Sequence, residues 1–269
     1  MPPTYRDNPH LVDRIRTALL AALACASAPI AANTSALAAP CAFETQGEGR
    51  VAAVIDARSF RLADGREVRL AGIEPVLAEA ARRSPALSAI VAGRDVTLRA
   101  DDDAPDRYGR QTAFVFVAGE ENSVQAKLLA LGEAFAAANV ADKDCSAALL
   151  AAESAARAGK MGIWATPSAT KNAESTGDIL AGNGRFMLVE GRVLSVRQAG
   201  ATTYLNFGRN WTRDFAVTIS RRMLPSLEAA GMTPKSLENR RIRVRGFIET
   251  RTGPRIELLR VGQLELLAN

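Results

Sequence analysis

The chain has one histidine, His10, and it sits in a stretch that reads as a leader. Without an imidazole further on, Ser-His-Asp and Cys-His nucleophilic arrangements fall away, and so does zinc binding through histidine. Any hydrolysis would rest on carboxylates, a hard cation, arginines or tyrosine. Arg69 lies in VRLAGIE, residues 68–74, and Arg110 closes DRYGR, residues 106–110. Guanidinium groups can hold a phosphate through paired N–H donors with no metal. The plainer alternative makes Arg69 an outward residue of an alternating strand and pairs Arg110 with a carboxylate such as Asp106. The acids are Asp56, Glu74, Glu79 and the run Asp101, Asp102, Asp103 and Asp106 before Tyr108. That run lacks the alternating ligands and turn glycine of a calcium loop, so it reads as a solvated acidic loop.

A second set lies further along. Tyr204, Phe207, Trp211 and Phe215 are aromatic, and Arg209, Arg213, Arg243, Arg245 and Arg255 are basic. Single-strand binders combine stacking rings with a positive groove. Phe215 reads as core, whereas Tyr204 and Trp211, near a loop, are better placed to stack. Charge follows the same division. Residues 41–165 carry 15 basic and 18 acidic side chains, a net of −3, while residues 186–269 carry 14 and 7, a net of +7. The chain total of +5 conceals this asymmetry. It directs a polyanion to the C-terminal half, unless the arginines form only a solvated surface.

These residues need a scaffold, and the first step is to set the leader aside. Arg14 and Arg16 precede an apolar stretch at 18–32, and Ala36-Leu37-Ala38 supplies small residues for cleavage. This reads as a secretory signal peptide over residues 1–38, its apolar core too short to cross a bilayer. Cys25 sits in a poor lipoprotein context. Secretion, to a periplasm, is the expectation, with no transmembrane segment. Cys41 and Cys145 then remain. In an oxidising compartment an even pair reads as one disulfide, the alternative being two independent thiols.

Residues 50–72 read as three short strands, with Asp64-Gly65 as a hairpin turn. A helix over 77–91, strands at 96–99 and 112–117, and helices at 123–131 and 146–159 follow. Residues 166–185, rich in Thr, Ser, Ala, Asn and Gly, read as a linker between a domain at 39–165 and another at 186–269. Beyond it the period is close to two: a long strand at 187–196 broken by Gly191, strands at 203–207 and 215–219, a helix at 220–230 stopped by Gly231, and strands at 242–248, 255–259 and 261–267. Strands, an inserted helix and turn glycines predict a mainly β fold with α, built as two OB-type barrels.

The ordered set VRLAGIE, DRYGR, LLALGEAFA at 128–136 and AALLAAESAARAGKMGIW at 147–164 resembles the staphylococcal-type thermonuclease family over residues 48–165. The resemblance implies an OB barrel in which Arg69 and Arg110 grip the scissile phosphate. It also marks losses. The family's D-G-D-T turn supplies a calcium-binding aspartate at its third position; here residues 56–59 read Asp56-Ala57-Arg58-Ser59, which puts Arg58 there. Glu74 stands in for one metal ligand, and the glutamate that activates water is replaced by Val76 or Leu77. A calcium ion, if cleavage is retained, falls to Asp56 and Glu74. The C-terminal phrases YLNFG, IRVRGFIE and GPRIEL look more loosely like nucleic-acid-binding OB domains, with Tyr204, Arg209, Trp211, Arg213, Arg243 and Arg245 as the binding set.

Two functions follow. One is a non-catalytic module that binds single-stranded nucleic acid, another polyanion or, as a structural envelope component, other proteins. The other is a divergent metal-dependent phosphodiesterase using Arg69, Arg110 and Glu74.

Overall fold

Cys41, residues 43–76 and residues 84–268 are described by the structure, a computed structural model. The expected leader, with His10 and Cys25, lies outside the described residues, as do Leu77 and Glu79.

The first half runs β1 (Glu44–Asp56), β2 (Ser59–Leu62), β3 (Glu67–Leu70), β4 (Ile73–Pro75), α1 (Pro85–Val91), β5 (Asp95–Ala100), β6 (Arg110–Val117), α2 (Val124–Ala130), β7 (Ala134–Ala136) and α3 (Lys143–Ala158). Alternation explains the sheet. Phe60, Leu62, Val68, Leu70, Leu98 and Val115 are buried and share one core. Strands β1, β2, β3, β6 and β5 close into a barrel in that order. β1 serves both β2 and β5, and it bends through register shifts between Val51 and Ala53 and between Val54 and Asp56. Such irregularities let one strand turn a barrel corner. The only parallel pairing of this barrel is β3 with β6. It sets Arg69 and Arg110, the first candidate site residues, on neighbouring strands.

Helix ends follow local chemistry. Ser84 accepts from the Leu87 N–H and Pro85 occupies the first turn, which fixes the start of α1 later than the 77–91 expectation. Asp142 caps α3 by accepting from the Cys145 N–H. Cys145 is itself disulfide-bonded to Cys41, so the start of the described chain is fastened to the first turn of α3. Buried Gln125 ties α2 to the barrel, accepting from the Val115 N–H and donating to the Ala113 carbonyl.

The second half runs β8 (Thr170–Asn172), α4 (Thr176–Leu180), β9 (Phe186–Arg192), β10 (Ser195–Ala199), β11 (Thr202–Asn206), β12 (Ala216–Ser220), α5 (Leu224–Ala229), β13 (Arg241–Phe247), β14 (Glu249–Thr250), β15 (Pro254–Leu258) and β16 (Leu264–Leu266). One sheet has the order β10-β11-β12-β15-β14 and the other β16-β13-β9-β8. β9 leads into β10 and β13 into β14, so the two sheets join as a ring around one core that includes Leu205, Phe215, Val217, Val244 and Ile256. The third and fifth ring strands, β12 and β15, pair in parallel, as β3 and β6 do. A helix precedes the fourth ring strand in both halves. The fold is mainly β with α, an OB-type barrel followed by an OB-like one.

Three local expectations need correction. The 166–185 stretch is not an irregular linker: β8 pairs in parallel with β9, and α4 buries Ile179. The small polar residues there conceal two buried anchors, Ala173 just after β8 and Ile179 in α4. The long strand breaks at Val193 and Leu194, not at Gly191, because the Val193 N–H donates to Arg240 and the Leu194 N–H to Asn206. Gly191 instead permits close packing, since a Cβ there would lie 2.5 Å from the Ala173 methyl and 2.8 Å from Phe207 Cδ1. Residues 261–263 form a 3-10 turn in place of a strand, because Gln263 Oε1 accepts from the Leu259 and Arg260 N–H groups. Among the described residues no helix is long and apolar enough to cross a membrane.

The halves meet along the side of β9 and β13 that faces away from the second core. Leu188 packs with Phe135, Ala156 and Trp164. Beside that apolar contact, Arg245, fully buried, reaches from β13 to α3. Its Nη1 donates to Glu153 Oε2 at 2.8 Å and to the Ala136 carbonyl at 2.9 Å, and its Nη2 to Glu153 Oε1 at 3.0 Å.

Candidate nucleic-acid interface

Arg69 and Arg110 come together as the parallel pairing dictates: Glu67 lies opposite Arg110, and Arg69 opposite Thr112. Arg58 joins them from the turn between β1 and β2, and Glu74 from β4. The three guanidinium groups are not equivalent. Arg58 forms an ion pair with Glu74 in a half-buried setting, and its backbone N–H donates to Asp56 Oδ1 at 2.9 Å. Arg110 places both Nε and Nη2 on Asp106 Oδ2, at 3.0 and 2.8 Å. Arg69 has only a 3.9 Å approach to Glu74 and makes no side-chain hydrogen bond among the described residues. Burial, then the neighbouring positive charges of Arg58 and Arg110, push its pKa down, while Glu74 and Asp106 act in opposition. A half-buried cation crowded by two others and weakly paired has an unmet demand for an anion.

The DRYGR turn is built by Asp106. Its Oδ1 accepts from the Tyr108 and Arg110 N–H groups, and Gly109 takes φ +77, a left-handed conformation that costs a glycine nothing. Hydrogen bonding from Arg110 holds the Asp106 carboxyl at about 2. Tyr108 is left 64% exposed, with the Arg107 and Arg110 guanidinium carbons 4.7 and 4.9 Å from its ring centre.

The residues present do not fit the family's calcium site. Arg58, at the position that the resemblance gives to a calcium ligand, bonds to Glu74, the carboxylate that the same resemblance gives to the metal. No group of three or more His, Cys, Asp or Glu side chains suited to a metal occurs among the described residues. Val76, at the proton-acceptor position, has no proton-accepting side chain, and Leu77 lies outside the described residues.

On the second half, the solvent side of the β10-β11-β12 sheet carries the other set. Arg197, Tyr204 and Thr218 form one cross-strand row, and Asn206, Ala216 and Arg255 the next. The loop after β11 is stiffened by Asp214, which accepts from the Asn210 N–H at 2.8 Å, and it presents Trp211 at 65% exposure. Tyr204, Trp211, Arg197 and Arg251 line one groove of about 390 Å³ together with Asn206 and Thr218. Arg209 and Arg213 are exposed on the same loop. Arg255 is paired with Glu249 at 2.9 Å.

Two expected members of this set sit elsewhere. Arg245 is buried between the halves, and Arg243 beside it donates to Glu190 at 2.6 Å and to Glu265 at 2.8 Å. Both point from β13 away from the second core, toward α3, where Arg157 and Glu265 complete the network at 3.5 Å. Burial favours the neutral Glu265 carboxyl, but Arg245 and Arg243 outweigh it and lower its pKa. Phe207 and Phe215 are core and touch each other at 5.2 Å. Sequence reasoning missed Arg197 and Arg251. Arg197 alternates on the same strand face as the residues opposite Tyr204, a signal that requires knowing the strand register. Arg251 was concealed in the turn Arg251-Thr252-Gly253-Pro254.

Taken together, the chain carries two OB-type rings in tandem, one with a cluster of three arginines and one with an aromatic and basic sheet face. Residues 77–166 match the family model described as Staphylococcal nuclease homologue, and this part of the chain is staphylococcal-nuclease-like. The match includes Arg110, α2 and α3, while Asp56, Arg58, Arg69 and Glu74 precede it. No curated protein matches the sequence.

Proposed function

We propose that this protein is a secreted, periplasmic binder of nucleic acid or a related polyanion that has given up standard calcium-dependent cleavage. The observation that carries this reading is the Arg58–Glu74 ion pair, because it engages the carboxylate that the resemblance gives to the metal. Arg69 and Arg110 are the phosphate-holding residues of the first barrel. Tyr204 and Trp211 are the stacking surface of the second, with Arg197, Arg209, Arg213 and Arg251 around them. Asp56 and Glu74 serve as counterions of the arginine cluster.

The test is a nuclease and binding assay on the purified protein with single-stranded DNA and RNA. It uses calcium, magnesium, manganese and a chelator, with Arg69→Ala/Arg110→Ala alongside. We expect no cleavage under any cation. Four phosphate contacts on the second barrel, one for each of Arg197, Arg209, Arg213 and Arg251, predict that affinity falls about fifty-fold between 50 and 200 mM salt. Cleavage that needs a divalent cation and disappears in the double variant would make the protein a phosphodiesterase. Affinity indifferent to salt would remove the polyanion reading and leave protein partners.

A further inference from the structure

The side of β13 that carries Arg243 and Arg245 ends in Phe247, opposite Phe186 of β9, with the two rings edge to face at 5.5 Å. Further in, this face is buried against the first half. At Phe247 it emerges, 50% exposed, into a groove of about 470 Å³ that both halves line. Val76 and Ile163 on the first half and Phe186 and Met187 on the second make its apolar wall. Arg58, from the arginine cluster, and Lys171 on β8 line the same groove. Lys171 has no ion-pair partner among the described residues. An exposed ring over an apolar floor, edged by cations, suits a flat base joined to a phosphate. Glu74 also lines the groove, but Arg58 neutralises it.

The placement of this groove matters as much as its lining. Phe247 is four residues before Arg251, and the segment between them contains β14. At about 3.3 Å per extended residue, Phe247 of the junction groove and Arg251 of the Tyr204–Trp211 groove are at most about 13 Å apart along the chain. That is a few nucleotides of stretched single strand. We infer that the two grooves are subsites of one continuous track. A single-stranded nucleic acid stacks on Trp211 and Tyr204, follows β14 and stacks again on Phe247, with phosphates at Lys171 and the Arg58–Arg69 cluster. This inference rests on the binding function proposed above. The buried Arg245–Glu153 contact is what would hold the subsites at a fixed spacing.

The experiment is fluorescence anisotropy with labelled oligo-deoxythymidylate of 4 and 16 nucleotides at constant salt. Wild type, Phe247→Ala, Phe247→Tyr, Lys171→Glu and Trp211→Ala are compared after their circular dichroism and Tm are matched. For the 16-mer we expect about ten-fold weaker binding in Phe247→Ala and in Trp211→Ala. Lys171→Glu should also weaken it, and Phe247→Tyr, which keeps the ring, should bind as wild type. The 4-mer should lose much less than the 16-mer in Phe247→Ala, because it can occupy the other groove alone. If Phe247→Ala and Lys171→Glu bind the 16-mer as wild type while Trp211→Ala does not, the track ends at the sheet face. The inference then fails and the binding function stands. If Trp211→Ala is silent as well, the Tyr204–Trp211 face is not the binding surface and the inference fails with it; if wild type binds neither oligonucleotide, the binding function itself fails.

Discussion

Replacing Arg245 with methionine keeps a flexible unbranched side chain, though a shorter one, and removes the charge at the centre of the contact between the halves. Both terminal nitrogens bond to Glu153, and neither Arg245 nor Glu153 is exposed. Removing one partner of a buried pair leaves the other charged in a poorly solvating site and costs about 3–5 kcal/mol. Glu153 would keep the Ala136 N–H at 2.7 Å and Arg157 at 3.8 Å, so the low end, about 3 kcal/mol, applies. For a protein of this size that lowers Tm by about 6–12 °C. Arg245→Met/Glu153→Leu removes both charges of the pair, and apolar replacement of a buried pair is often neutral or stabilising. Because Glu265 then lacks Arg245 and the Ala136 N–H lacks its acceptor, the double variant should recover part of the loss. Thermal unfolding followed by circular dichroism, with the disulfide intact, is the assay. A single-variant shift under 2 °C, or a double variant no more stable than the single, would refute the reasoning that this ion pair locks the two rings together.

Two further outcomes follow from the geometry. Asp106 has a folded-state value of about 2 against an ordinary 3.8, so its pair with Arg110 stabilises the DRYGR turn fully above about pH 4. That contribution is lost as pH falls through about 2, and a carboxyl-detected NMR titration should find the midpoint there; a midpoint near 3.8 would mean the pair does not form in solution. The Cys41–Cys145 bridge closes a loop with a sequence separation of 104. Cys41→Ser/Cys145→Ser should cost about 2–5 kcal/mol in urea unfolding, and a smaller loss would place the anchoring of the N-terminal segment elsewhere.

Much of the architecture was legible because it depends on local pattern. Alternation at 59–62 and 67–70 placed β2 and β3, and the cysteine count pointed to the bridge that the fold makes. The ordered motifs identified the first barrel, and the Asp56-Ala57-Arg58-Ser59 turn set an arginine where the resemblance expects a metal ligand. What the chain could not reveal was which arginines face solvent. Arg243 and Arg245 alternate along β13 as an exposed pair would, and the surface that buries them belongs to α3, about ninety residues earlier in the chain. Partnership was equally hidden: Arg58, Arg69 and Arg110 look alike in sequence, yet only Arg69 lacks a close carboxylate. Alternation fixes the side of a strand on which a residue stands. Whether that side meets water, a counterion or another domain depends on long-range packing, and here that packing separates the candidate ligand-binding arginines from those that hold the protein together.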